Sequence, residues 1–165
     1  MQKQLYFICP TDYLERVIDN TFQQEKYYYT SLGNSITFDV DTVGQLSELL
    51  EAKNISNISF ALAYDNRIIR DAVAQQDYSK VSGLKEIYIR IVKQQKQAKH
   101  SWQTADRQFL TLSYHLNSKI NELKQVLSDT RFSPLPINAI IYSRQLQQFS
   151  DIYPDLVCRE AVSLN

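Results

Sequence analysis

The amino-acid sequence predicts an α/β domain: a mainly parallel central sheet of about four strands, flanked by helices. Three observations carry this. Short runs rich in β-branched and aromatic residues alternate with segments of helical period, the order of a sheet whose strands are joined by crossovers. With only 3 Gly and 4 Pro in the chain, tight hairpin turns are scarce, which favours helical connections over hairpins. The 165 residues read as one domain, 1–165, large enough to bury a core.

Residues 4–9, QLYFIC, form a continuous apolar run, the pattern of a strand buried on both faces. Thr11 or Asp12 then stands where a helix cap belongs, ahead of Leu14, Val17, Ile18 and Phe22 at helical spacing. KYYYTSL (26–32) is the second strand, with Gly33-Asn34 as a turn and SITF (35–38) continuing beyond it. Thr42 and Gln45 read as a capping box for a helix whose apolar face is Val43, Leu46, Leu49 and Leu50, with Asn54 as its stop. ISNISFALAY (55–64) is the third strand. Leu84, Ile87, Tyr88, Ile91 and Val92 mark an amphipathic helix that runs into the polar KQQKQAKH. A longer helix shows Phe109, Leu112, Leu116, Ile120, Leu123 and Leu127 at steps of three and four. Past Pro134 and Pro136, INAIIYS (137–143) is the last core strand, and the tail beyond it carries mixed signals.

The 18 basic and 18 acidic residues cancel, so no electrostatic footprint for nucleic acid or anionic lipid is expected. No apolar run approaches the roughly 20 residues of a membrane helix, and the apolar stretch near the N-terminus is too short for a signal peptide. Two cysteines, Cys9 and Cys158, are too few for a disulfide framework. The expected setting is a reducing cytoplasm, with both thiols free.

In parallel α/β sheets, ligands bind beyond the carboxyl ends of the strands. There the sequence places Cys9, Thr11 and Asp12, then Thr30, then Tyr64, Asp65 and Arg67, and these are the pocket candidates. Cys9, Cys158, His100 and His115 are the only thiols and imidazoles, and none is paired at zinc-site spacing. Both histidines fall in the helical section, where packed or solvated roles are expected. No G-x-S-x-G elbow or glycine-rich phosphate loop occurs. Asp12 and Asp65 could form an acid–base pair, although Asp at a strand–helix junction is more commonly a cap. Arg67 and Arg70 could hold an anion, or simply line a solvated helix face. Tyr27, Tyr28 and Tyr29 invite a base-stacking reading, but only Lys26 supplies adjacent positive charge, so strand packing is expected.

The order of elements resembles the β-class carbonic anhydrases. That family ends its first strand in C-x-D-x-R, its second in R-N-x-G-N and its third in G-H-x-x-C-G, with a last strand ending near Y-D. YFICPTDYLE is similar to the first, YYYTSLGNSI to the second through Gly33-Asn34, LSELLEAKNISNISFALAYDNR to the helix and third strand, and LPINAIIYSR to the last. By this resemblance Cys9 stands at a zinc cysteine, Thr11 at the zinc-gating aspartate and Tyr13 at the arginine. Tyr64 stands at the zinc histidine and Arg67 at the second zinc cysteine. One ligand in three is kept, and zinc needs three or four.

The resemblance therefore implies the scaffold, a homodimer and no metal or cofactor. The expectation is a non-catalytic protein that binds a small anion near Arg67 or a protein partner. The alternatives are an enzyme with metal-independent chemistry at the same rim, using Asp12, Asp65, Tyr64 and Cys9, or an unrelated α/β interaction domain.

Overall fold

The computed structural model describes residues 1–74, 85, 88–93, 96 and 106–154. Among these, a sheet of order β2-β1-β3-β4-β5 runs through the centre. Its strands are β1 (Lys3–Ile8), β2 (Glu25–Thr30), β3 (Asn57–Ala63), β4 (Ile137–Ser143) and β5 (Gln148–Asp151). The first four are parallel, and β5 is antiparallel to β4. The helices are α1 (Glu15–Thr21), α2 (Val40–Lys53), α3 (Arg67–Val73) and α4 (Arg107–Leu127); residues 88–93 are helical as well.

Strand alternation divides the core in two. Leu5, Phe7, Phe60, Leu62 and Ile141 face α2 and α4, meeting Leu46, Leu50, Leu112, Leu116 and Leu123. The opposite residues, Tyr6, Ile8, Ala61 and Ile140, pack on Leu14 and Ile18 at α1. Both faces are covered, and for this reason β1 and β3 read as unbroken apolar runs. At the centre Phe7 stacks on Phe60 with ring centroids 4.8 Å apart, an offset pairing that adds to the burial of both rings.

The stripe on α4 packs as its spacing implies: Leu112, Leu116, Ile120, Leu123 and Leu127 are buried and Phe109 is half-buried. Asn54 ends α2 in the left-handed region, as an Asn stop does. Tyr88 and Ile91 are buried, while Leu84, Ile87, His100, Cys158 and most of KQQKQAKH lie outside the described residues.

Four local expectations are corrected. Neither Thr11 nor Asp12 caps α1: the N-cap is Leu14, with no side-chain bond, and Pro10–Asp12 form a single 3₁₀ turn. The cap of α2 is Asp39, whose carboxylate accepts the Thr42 N–H, in place of a Thr42–Gln45 box. SITF is not strand, because β2 stops at Thr30 and the chain turns at Leu32–Asn34. Among the described residues the sheet has five strands, where about four were expected. The polar QFSD of β5 offers no alternation to read, and it is held to the sheet by Phe149, which packs on Tyr142 and Phe22. No helix among the described residues is long and apolar enough to cross a membrane.

Candidate functional site

In this strand order the direction of winding reverses between β1 and β3, so the crevice at their carboxyl ends is where an α/β ligand site is expected. The chain fills that crevice itself. Asp12, carried in by the 3₁₀ turn after β1, is 3% exposed. Its Oδ2 accepts the Ala63 N–H at 2.8 Å and its Oδ1 accepts from Asn66 Nδ2 at 2.8 Å. Asn66 in turn caps α3, its Oδ1 accepting the Ile69 N–H at 2.9 Å. Burial pushes the Asp12 carboxyl up to about 6, against the lowering effect of these two bonds and of Arg144.

Cys9 closes β1 fully buried. Its Sγ lies 3.1 Å from Thr11 Oγ1 and accepts the Gly33 N–H at 3.1 Å. Gly33 sits at φ 59 in its turn, a conformation glycine adopts without a Cβ penalty. On its other side the Gly33 carbonyl accepts from His115 Nε2 at 2.7 Å. His115 is wholly buried, and its Nδ1 has no hydrogen-bond partner among the described residues. Desolvation holds its imidazole down at about 3, so it stays neutral. Four residues along α4, the Lys119 ammonium donates to Ile36 O at 2.9 Å, so one helix ties the Gly33–Ile36 segment at two points.

Of the pocket candidates, the fold thus brings together Cys9, Thr11 and Asp12. Thr30 ends β2 exposed. Arg67, the first residue of α3, is exposed too, and its side chain forms no hydrogen bond or ion pair among the described residues. Tyr64 and Asp65 face an open cleft of about 540 Å3, displaced from the crevice toward β4, β5 and the start of α4. There the Tyr64 hydroxyl donates to Asp106, 2.8 Å from both carboxylate oxygens. Burial, aided by that carboxylate, pushes the phenol up to about 12. Asp65 Oδ1 pairs with Arg144 Nη1 at 2.8 Å, and Arg144 Nη2 donates to the Asp12 carbonyl at 2.6 Å.

Asp106 and Arg144 line the cleft and were not singled out by the sequence, whereas Asn66 stands in the Tyr64–Arg67 stretch at the third strand end where a site was expected. Both lining residues carried a legible signal: Arg144 directly follows the last parallel strand, and Asp106 stands at the cap position of the longest stripe. Among the described residues, no group of three or more His, Cys, Asp or Glu side chains is placed to hold a metal ion.

No family model matches the chain, and no curated protein matches it by sequence. Solved structures do match. The β-carbonic anhydrase CafD of Aspergillus fumigatus superposes with a TM-score of 0.73 at 16% identity, over 93% of this chain and 90% of that one. The fold is that of the β-class carbonic anhydrases. CafA of the same fungus gives 0.70 at 12% identity, over 92% and 75%. The Coccomyxa β-carbonic anhydrase, solved with acetazolamide, gives 0.66 at 16%, over 91% and 71%. β-carbonic anhydrase topology thus extends over nearly the whole chain. Identities this low speak to topology alone.

Proposed function

We propose that this chain is a non-catalytic binding protein on a carbonic anhydrase-like scaffold that carries no zinc. The observation that supports it best is the closed crevice. The one cysteine at the first strand end spends its sulfur on Gly33 N–H and Thr11, and Asp12 spends both carboxylate oxygens on Ala63 and Asn66. The third strand end offers Tyr64, Asp65, Asn66 and Arg67, a set with no thiolate or imidazole. This donor set does not fit a zinc ion, which takes three or four Cys, His or carboxylate ligands. Hydration of carbon dioxide by this family's chemistry needs a metal-bound water of lowered pKa, and no residue here replaces it.

We place the protein in the cytoplasm as a homodimer. Its balanced charge leaves it without an electrostatic pull toward nucleic acid, and the solved relatives include tetrameric enzymes of Sordaria macrospora. Its ligand site is the open cleft beside the crevice, where Arg144, and not Arg67, presents the guanidinium.

The test is elemental analysis of the purified full chain, with stopped-flow hydration assays on the same preparation. Zinc well below one equivalent per chain, and a hydration rate no higher than buffer, are expected. Stoichiometric zinc with measurable hydration overturns the reading. Light scattering on the eluting protein reads the dimer directly.

A further inference from the structure

The cleft combines three features that belong to a ligand of one class. Its lining includes apolar side chains: Ile141, buried, Phe109, half-buried, and Leu146, 64% exposed. Arg144 lines it as well, anchored to Asp65 and to the Asp12 carbonyl. Those two bonds occupy two of the five N–H donors of a guanidinium and leave the rest for a ligand. The Asp106 carboxylate lines the same cleft. Its Oδ1 caps α4 through the Gln108 and Phe109 N–H groups, while among the described residues its Oδ2 accepts only from the Tyr64 hydroxyl. Anchored guanidinium donors, a carboxylate and apolar side chains lining one cleft are the complement of a zwitterion with an apolar side chain.

We infer that this cleft binds a free α-amino acid of the aliphatic or aromatic kind. Its carboxylate meets Arg144, its ammonium meets Asp106, and its side chain lies on Phe109 and Leu146. The Asp65–Arg144 pair is exposed on both partners, and such pairs are weak, so a ligand carboxylate can share the guanidinium at little cost. The volume of about 540 Å3 falls within the roughly 300–1,000 Å3 of small-molecule sites. The inference rests on the binding-protein reading above and names the ligand class of that site.

Titration calorimetry of the full chain with L-leucine tests it, alongside 3-methylbutylamine, which lacks the carboxylate, and 4-methylpentanoate, which lacks the amine. Saturable leucine binding is expected, with each analogue weaker by roughly tenfold or more, the effect of losing one charge-assisted contact. Asp106→Asn keeps a good helix cap and removes the charge. It should weaken leucine by a similar factor while leaving the melting temperature of the free protein unchanged. The inference is overturned if leucine shows no saturable binding, if either analogue equals leucine, or if Asp106→Asn binds leucine as tightly as the parent. Zinc is measured on the same sample: zinc present overturns the proposed function, whereas zinc absent with no leucine bound overturns only the ligand assignment.

Discussion

Lowering the pH from 7.5 to 4.5 is expected to remove roughly 3 kcal/mol of the stability linked to one side chain, His115. The imidazole is wholly buried and held near 3, against an ordinary value of 6.5. The native state therefore binds this proton less tightly than the unfolded chain does. Between pH 6.5 and about 3 the unfolded state carries more protons, and each step downward favours it. At about 1.4 kcal/mol per unit, the full window comes to roughly 5 kcal/mol at most. The cause is desolvation, reinforced by the positive charges of Lys119 and Arg90, and it outweighs the bond to Gly33.

Urea unfolding at half-unit pH steps measures the slope. In His115→Gln the side-chain amide can still donate to the Gly33 carbonyl but does not titrate. That variant should lose about 1 kcal/mol at pH 7.5 and show a flattened acid limb. An acid limb as steep as the parent's would rule His115 out as its source.

The second expected result runs against intuition. Asp12→Ala removes a buried carboxylate that holds two strand ends together, yet it should cost little at pH 7.5 and roughly 3 kcal/mol at pH 4. Burial raises the Asp12 carboxyl from 3.8 to about 6, so here the native state binds its proton more tightly than the unfolded chain. The stability linked to Asp12 is whole below pH 3.8 and falls as pH rises through about 6. At neutral pH the variant loses the acceptor for Ala63 N–H and Asn66 Nδ2, but it is also relieved of an unfavourably buried charge. In acid that relief disappears and the two unpaired donors remain.

Asp12 and His115 thus act in opposite directions over overlapping pH ranges, and the parent protein shows only their difference. Removing Asp12 should make the acid limb steeper. The same urea series on Asp12→Ala decides this: a loss that is equal at every pH would mean that folding leaves the proton affinity of Asp12 unchanged.

How much of this was legible beforehand depended on whether the partners lie close in sequence. β1, α2, β3 and α4 announce themselves because their apolar periods are local, and Asn54 stops α2 by a local backbone conformation. Asp12 read as a cap because a cap is the only role an Asp beside a strand can show locally. Its actual partners, Ala63 and Asn66, come from the far side of a helix and a strand. His115 read as one more residue beside an apolar stripe, since the Gly33 carbonyl it meets belongs to a turn 82 positions earlier. β5 was invisible because its sequence is polar: its ladder to β4 is backbone, and Phe149 is the ring that packs it on Tyr142 and Phe22. The cleft, assembled from four elements, could be foreseen only as an address at the carboxyl ends of the strands.

Arg144 carries one more consequence. A single guanidinium at the end of β4 holds the backbone carbonyl after β1 and the carboxylate after β3. On the ribosome β1, α1, β2, α2 and β3 emerge in order and can pair at once. Asp12 can join the ends of β1 and β3 as soon as Ala63 and Asn66 are made, but the second tie waits through the more than seventy residues made before Arg144 appears. The outer clasp of the rim is therefore one of its late-made parts, and a nascent chain stalled short of β4 would hold that rim by Asp12 alone.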